Sequence, residues 1–416
     1  MHIERALRRI DELRAINAFV FVVSRATRDS LPRSESFSLE PVASHGGERR
    51  LDELLDKNAS GAALVVAVKD NIDVRGMPTT AGGRHLATEA RQRDAECVRR
   101  LRAAGCAIVG KTSLYEYAMG GTSENPHQGD VVNPRHPDRD AGGSSSGSAA
   151  AVAAEMCDAA LGTDTLGSVR LPAAFCGVVG YKPPRAAIPR RGIFPNALSL
   201  DAVGVLATDV ATAARLVDLM RREPVRRPRP SRAPRLAVPW SWLDGVSDEV
   251  RVAFRRIAGD LPNIELPPRE LLCDVALAVA RVEGTRAHIE WLRSAPDLYG
   301  DDVRALLKGN LAVPLSDYVA ARRQLARLRA LLRRGLATVD AVLVPTVPFV
   351  PPRKARYPLE ARRRLTDLTR PFNVADSAAF SIPIPGTRLP IGLQIAANDE
   401  ASAVAVALRL ERRLRA

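Results

Sequence analysis

The chain is poor in lysine: only six of its 61 basic residues are lysine, and the rest are arginine. The formal charge of +14 is therefore an arginine bias spread along the sequence. Aromatic residues make up only 4% of the chain, too few to furnish stacking platforms for single-stranded bases. Charge without such platforms argues against a nucleic-acid binder. The five cysteines (Cys97, Cys106, Cys157, Cys176, Cys273) are odd in number and contain no CxxC pair. That excludes a disulfide framework and a zinc site, and it fits reduced thiols in a cytoplasm. No apolar run is long enough to span a bilayer. The opening Met1-His2-Ile3-Glu4-Arg5 carries both signs of charge and leads into an amphipathic stretch, unlike a signal peptide. A GxxxxGK[ST] motif is missing, as is a GxGxxG after a strand, so phosphate binding has no support.

Residues 3 to about 28 read as helix, with Leu7, Ile10, Leu13 and Ile16 at helical spacing. Residues 29 to 60 read as loop, with a short helix at 50 to 57. The β-rich run Val65-Val66-Ala67-Val68 ends in Lys69-Asp70-Asn71, which puts Lys69 at a strand end facing a crevice. An amphipathic helix over 91–104 precedes a short buried strand at 106–110, the signature of an α/β layer structure. Residues 124–147 are loop, rich in Asn-Pro and Gly/Ser. An Ala-rich helix follows over 149–157, then a strand at 159–161. Helices are expected over 208–222, 248–259, 275–295, 315–336 and 401–415, the fourth a solvated basic helix. Strands are expected at 236–238, 341–345 and 391–395. The arginine- and proline-rich stretch 221–235 reads as an exposed connector.

Three residues stand in unusual company. Lys69 closes an apolar strand, where arginine could not replace it as a base because arginine stays protonated. Ser144 opens the serine run of Gly142-Gly143-Ser144-Ser145-Ser146-Gly147-Ser148. Ser168 lies in Gly162-Thr163-Asp164-Thr165-Leu166-Gly167-Ser168-Val169-Arg170. A hydroxyl needs a base before it can attack, no histidine lies near these segments, and a buried lysine is the alternative. Gly143-Ser144-Ser145-Ser146-Gly147 also fits the G-x-S-x-G nucleophile elbow, with Ser145 as nucleophile. That motif requires a preceding strand and a later Asp and His; here a Pro-rich loop precedes it, and His288 is the one later histidine. Taken singly, Ser144 and Ser168 also read as turn or capping serines, and Lys69 as a strand-end lysine. Cys176 reads as a packed thiol.

Residues 142–183 resemble the amidase signature family in detail. The Gly-Gly-Ser-Ser run is followed by an Ala-rich helix, then Gly-Thr-Asp-x-x-Gly-Ser-x-Arg-x-Pro, and continues through Ala173 to Pro183. Ala67–Asp73, Gly110–Gly120, Glu124-Asn125-Pro126, Ser199-Leu200-Asp201 and Leu389–Gln394 are similar to further family segments, in the family's order. The resemblance spans essentially the whole chain. It implies one α/β domain over residues 1–416: a large, mixed, twisted sheet covered by helices on both faces. It also implies an amidase in which Lys69 is the base, Ser144 the bridging serine and Ser168 the nucleophile. Backbone N–H groups of Thr165, Leu166, Gly167 and Ser168 would stabilise the oxyanion. Asp164, Arg170 and Ser145 would support the nucleophile loop, and Met119, Gly120 and Phe175 would border the substrate.

A small-molecule amide substrate follows from the resemblance, with no metal, no organic cofactor and no membrane contact; a homodimer is compatible with it. Some features depart from the family pattern. Leu166 stands where many members have glycine, Gly204-Val205 replaces Gly-Pro, and Ala186 stands where a glycine often follows. Residues 373–382 lack Gly-Leu-Pro and carry Asp376. These changes flank the substrate side. Two narrower resemblances accompany the general one: the amidase component of a glutamine-dependent tRNA amidotransferase, and, from the serine-rich run, hydrolases of urea-like amides such as allophanate. A scaffold that keeps the fold without chemistry is a third reading; it would have no need of a buried lysine beside two serines.

Overall fold

The computed structural model describes residues 3–23, 64–223, 225, 233–354 and 359–415. The expected loop and short helix between 29 and 60 lie outside the described residues, as does part of the 221–235 connector. One mixed sheet of ten strands organises these residues: β1 (Phe19–Val22), β2 (Val65–Lys69), β3 (Ala107–Thr112), β4 (Ala159–Asp164), β5 (Val179–Lys182), β6 (Ala202–Ala207), β7 (Leu236–Ala237), β8 (Ala341–Pro345), β9 (Ala378–Pro383) and β10 (Gly392–Ala397). Their spatial order is β1-β3-β2-β4-β6-β5-β9-β10-β8-β7.

The strands β3, β2 and β4 run parallel, and antiparallel pairing carries the sheet onward from β4 through β8. Parallel strands need both faces covered, and every residue of β2, β3 and β4 is buried. One face packs on the small-residue helix Ser146–Ala153, whose alanines let it approach the sheet closely. The opposite side holds the larger core, built from Val66, Val68, Leu161, Val203 and Val205 of the sheet with helices Glu96–Ala103, Val210–Met220, Arg269–Arg286 and Glu400–Arg415. Each such aliphatic side chain removed from water contributes about 1.5–3 kcal/mol. The helix Leu315–Leu336 buries Ala321, Leu325, Leu328, Leu332 and Leu336, a stripe at helical spacing, and leaves its arginine-rich face to solvent.

Sequence periodicity misplaced one end and missed the middle of the sheet. The opening helix stops at Glu12, and Phe19–Val22 forms the edge strand β1, antiparallel to β3. An aromatic and β-branched run prefers a pleated edge over a continued helix. The expected helix over 275–295 begins at Arg269 and breaks at Arg286, resuming at Ile289. The strands β5, β6 and β9 were not foreseen, because Gly180, Gly204 and the alanines of Ala378-Ala379 dilute their apolar signal.

Two parallel strands, β2 and β4, finish side by side at Lys69 and Asp164. Their common carboxyl edge opens the crevice in which a parallel sheet places its chemistry. Just beyond β2, the carboxylate of Asp70 pairs with Lys111 of β3 at 2.7 Å, both side chains fully buried. The second Asp70 oxygen accepts from the Thr80 hydroxyl at 2.5 Å and the Thr80 N–H at 3.1 Å. Removing one member of a buried pair strands the other charge, at a cost of about 3–5 kcal/mol. Asp70→Ala is therefore expected to lower the urea midpoint of unfolding by that amount of stability. An unchanged midpoint would mean that the pair does not hold the β2–β3 edge.

Candidate active site

Lys69 is wholly buried at the end of β2. Its Nζ donates to the Ser144 Oγ at 2.7 Å and to the Thr163 Oγ1 at 2.9 Å. Thr163 also accepts from the Asn71 amide at 3.1 Å. Ser144 comes from a distant loop, 75 residues away in sequence, and follows a cis Gly143–Ser144 peptide. A Cβ on Gly143 would fall 2.1 Å from the Thr122 carbonyl oxygen, so only glycine fits beside Ser144. Burial is the main cause that draws the Lys69 ammonium down to about 7, and Asp164 and Asp201 oppose it through their negative charge. Near neutral pH the amine is thus divided between its charged and neutral forms.

Ser168 is buried in the turn between β4 and the helix Arg170–Cys176. The Ser145 N–H donates to the Ser168 carbonyl at 3.3 Å, which ties the Ser144 loop to the Ser168 loop. Asp164 and Arg170 clamp that turn from within. Arg170 Nε and Nη2 reach the two Asp164 oxygens at 3.0 and 2.8 Å, with both side chains fully buried. Burial pushes the Asp164 carboxyl upward, but Arg170 first, then Lys182 and Asn373, outweigh it and hold the group at about 2. Arg170 Nη1 donates to the Thr369 carbonyl and to Gln394 Oε1, and its Nη2 to Asn373 Oδ1, so the guanidinium is saturated.

Asp164 also accepts from the Gly167 N–H at 2.9 Å and from the Val169 N–H at 3.2 Å. Gly167 therefore departs from the expected set of oxyanion donors: its N–H is already committed to a carboxylate. The N–H groups of Thr165, Leu166 and Ser168 donate to no acceptor among the described residues. Gly167 has a different duty. Its φ is +131°, and a Cβ there would lie 2.1 Å from Thr369 Oγ1, which donates to the Leu166 carbonyl at 2.6 Å. Glycine lets Thr369 press against the loop.

The other expected residues divide. Ser145 caps the helix Ser146–Ala153 by position and sends its Oγ toward the Thr163 carbonyl at 3.4 Å. Ser148 bonds to the Leu161 carbonyl and to Thr112, so it is structural. Cys176 is buried, with its thiol pushed far up by burial. Met119 is half-buried against an aromatic cluster that includes Tyr117 and Phe194, and Gly120 lies against the Tyr115 ring, where a Cβ would come within 2.4 Å. Phe175 does not border open space: it is buried and packs against Leu171, Ala174, Val347 and Leu365. Its aromatic bulk fills a core rather than facing a ligand.

A pocket opens beside Thr163, lined by Asn71, Thr163, Thr165, Arg190, Phe194 and Asp201 among others. Asp201 accepts from the Thr165 hydroxyl at 2.7 Å and from the N–H groups of Asn196 and Ala197 at 3.0 Å each. Sequence reasoning assigned no role to Thr163, Arg190, Asp201, Asn373 or Gln394. Thr163, Asp201 and Gln394 stand inside segments already set apart by resemblance, which was the available signal. Arg190 is one of 55 arginines and nothing in the sequence distinguishes it.

Comparison with known proteins identifies the family. The Amidase family model matches residues 50–401. The chain belongs to the Amidase family. This amidase-family chain is 34% identical over 424 residues to a glutamyl-tRNA(Gln) amidotransferase subunit from Anaeromyxobacter dehalogenans, covering 88% of the chain and 84% of the relative. It is 36% identical over 407 residues to the amidotransferase subunit of the same name from Thermus thermophilus, covering 84% of each. Among solved structures it is similar to an amidase at a TM-score of 0.86 and 32% identity, covering 99% of this chain and 95% of that one. The corresponding glutamyl-tRNA(Gln) amidotransferase subunit from Thermotoga maritima superposes with a TM-score of 0.76 at 27% identity, covering 98% and 89%. The fold is accordingly the single α/β amidase domain, and the protein is an enzyme of amide C–N bonds. Among the described residues no helix is long and apolar enough to cross a membrane.

The buried amine has a measurable stability signature. Lys69 ionises near 10.5 when exposed and near 7 when folded, so between these values the unfolded chain binds more protons than the folded one. Stability contributed at this position must rise with pH across that window and be lowest below about 7. Lys69→Met is expected to be more stable than the parent at pH 6, with the difference shrinking toward pH 10, as followed by thermal melts. A difference that does not vary with pH would contradict the burial of a titrating amine.

Proposed function

We propose that the protein hydrolyses a small or medium carboxamide to a carboxylic acid and ammonia or an amine, through an acyl-enzyme on Ser168. The observation that carries this reading is the fully buried Lys69, whose Nζ lies 2.7 Å from Ser144 Oγ and ionises at about 7. In its neutral form Lys69 holds a lone pair that can accept the Ser144 proton, while Ser144 accepts the proton of Ser168. Ser168 Oγ then bonds to the amide carbonyl carbon, and the carbonyl oxygen gathers the negative charge. The free N–H groups of Thr165, Leu166 and Ser168 are the donors assigned to that oxygen; such donors are worth about 3 kcal/mol each in the transition state. The proton held by Lys69 returns through Ser144 to the departing nitrogen as the C–N bond breaks. Water enters, gives up a proton along the same path, and releases the acid.

A second reading is the glutaminase component of an amidotransferase, which uses this chemistry but needs partner chains. The names of the relatives in Anaeromyxobacter and Thermus favour it. The change at Leu166, inside the nucleophile loop, favours an amidase acting by itself, whereas Val205 and residues 378–382 lie buried in β6 and β9 and do not face a substrate. Glutamine hydrolysis that appears only with added partner chains would select the second reading. The urea-like substrates suggested by the serine run belong in the same assay as a separate arm.

The nucleophile is tested by treatment with a fluorophosphonate followed by intact mass and peptide mapping. A single adduct on Ser168, lost in Lys69→Ala, is the expected result; a folded protein that takes no adduct would argue against Ser168. Activity has its own pH signature. Because the base must be neutral, kcat/KM for a simple amide is expected to rise about tenfold per pH unit below 7 and level off above it. A profile flat between pH 5.5 and 8 would contradict Lys69 as base. Lys69→Ala and Ser168→Ala should each lower kcat by at least about a thousandfold, as ammonia release measures.

A further inference from the structure

Resting on the proposed amidase reading, we propose that Arg190 is an anion hook in the pocket beside the nucleophile loop, so that the preferred substrates are amides bearing a carboxylate. Arg190 is half-buried, and its side chain lines the same pocket as Thr163, which holds Lys69, and Thr165, which opens the nucleophile loop. One edge of its guanidinium is fixed: Nη1 donates to the carbonyls of Leu198 at 2.9 Å and Asp201 at 3.3 Å. Its Nε and Nη2 donate to nothing among the described residues, and no carboxylate there forms an ion pair with it. A guanidinium offers five donors in a planar fork that matches a carboxylate.

The nearby acids are all committed elsewhere. Asp201 spends its two oxygens on the Thr165 hydroxyl and the N–H groups of Asn196 and Ala197. Asp376 accepts the Arg185 N–H at 2.7 Å and lies within ion-pair distance of the Arg185 guanidinium. Glu283 accepts from Ser199, Tyr318 and Arg322. Meanwhile Arg185 sends its own Nη1 to the Leu198 carbonyl at 3.1 Å, so two cations converge on one acceptor. Burial weakens the hold of Arg190 on its proton and the Arg185 charge adds to this, while the charges of Asp201, Asp376 and Glu283 oppose it from a distance without an ion pair. Arg170 provides the contrast: its guanidinium is saturated by Asp164, Asn373, Gln394 and a carbonyl, and is structural. An arginine anchored on one edge and open on the other, inside a pocket, is a recognition group for an anion.

The test uses two pairs of amides alike in shape and different in charge: succinamate against succinamide, and glutaramate against glutaramide. Binding is measured by calorimetry on full-length Ser168→Ala protein, in which turnover is stopped. The anionic member of at least one pair is expected to bind about tenfold or more tightly than its neutral counterpart. Adding Arg190→Gln should abolish that preference, and Arg190→Lys, which keeps the charge without the fork, should restore part of it. Thermal melts establish that each variant is folded. Equal affinity for charged and neutral partners, a preference that survives Arg190→Gln, or no binding of any of the four at millimolar concentration would overturn the proposal. Because binding is read without turnover, its failure is separable from failure of the Ser168 adduct, which tests the proposed chemistry.

Discussion

Everything in this site depends on keeping one amine out of water. A lysine surrounded by solvent holds its proton firmly and cannot act as a base at neutral pH. Lys69 sits at the carboxyl end of a parallel strand, under a helix of small residues, and its Nζ bonds to the hydroxyls of Ser144 and Thr163. Desolvation works against the ammonium, while Asp164 and Asp201 restore enough negative potential to stop its ionisation near 7. Without those carboxylates the amine would stay neutral but be a weak base. Lys111 is as deeply buried, and burial draws its ammonium down as well, opposed first by the charge of Asp70 at 2.7 Å. Two lysines on adjacent strands thus differ in what they meet: hydroxyls at Lys69, a carboxylate at Lys111.

The nucleophile loop is held by a second buried arrangement. Asp164 gathers the N–H groups of Gly167 and Val169 and the fork of Arg170, which in turn fixes Thr369, Asn373 and Gln394. The turn that carries Ser168 is therefore tied to segments about two hundred residues further along the chain. Satisfying Asp164 through Gly167 aims that N–H inward and leaves its neighbours Thr165, Leu166 and Ser168 without internal acceptors among the described residues. Precision at a hydroxyl and a set of free donors comes from such fully connected support, since a partly satisfied buried ion pair would be costly.

Much of the site was legible in the sequence because its residues are local and chemically odd. A lone lysine closing Val65–Val68 in an arginine-writing protein, and serines set among glycines, stand out without any coordinates. The fold class followed from the alternation of apolar strands and amphipathic helices, supported by a resemblance that ran the length of the chain. What stayed hidden was non-local. Phe19–Val22 looked like more helix until its partner β3 was known, and β6 and β9 are too rich in glycine and alanine to announce themselves. The resemblance put Phe175 beside the substrate, but its ring packs into a core with Val347 and Leu365. The commitment of the Gly167 N–H and the open edge of Arg190 depend on side chains that meet only in the folded state.

The shortage of lysine gives the central claim a direct test. With only six lysines, a protein labelled with carbon-13 at lysine Cε yields a spectrum sparse enough to assign by substitution. Lys182, also buried, should titrate at about 8, and the resonance lost in Lys69→Arg identifies Lys69. The account requires that resonance to titrate with a midpoint near 7. A midpoint near 10, the value of a solvated lysine, would mean that Lys69 stays protonated at neutral pH and cannot be the base.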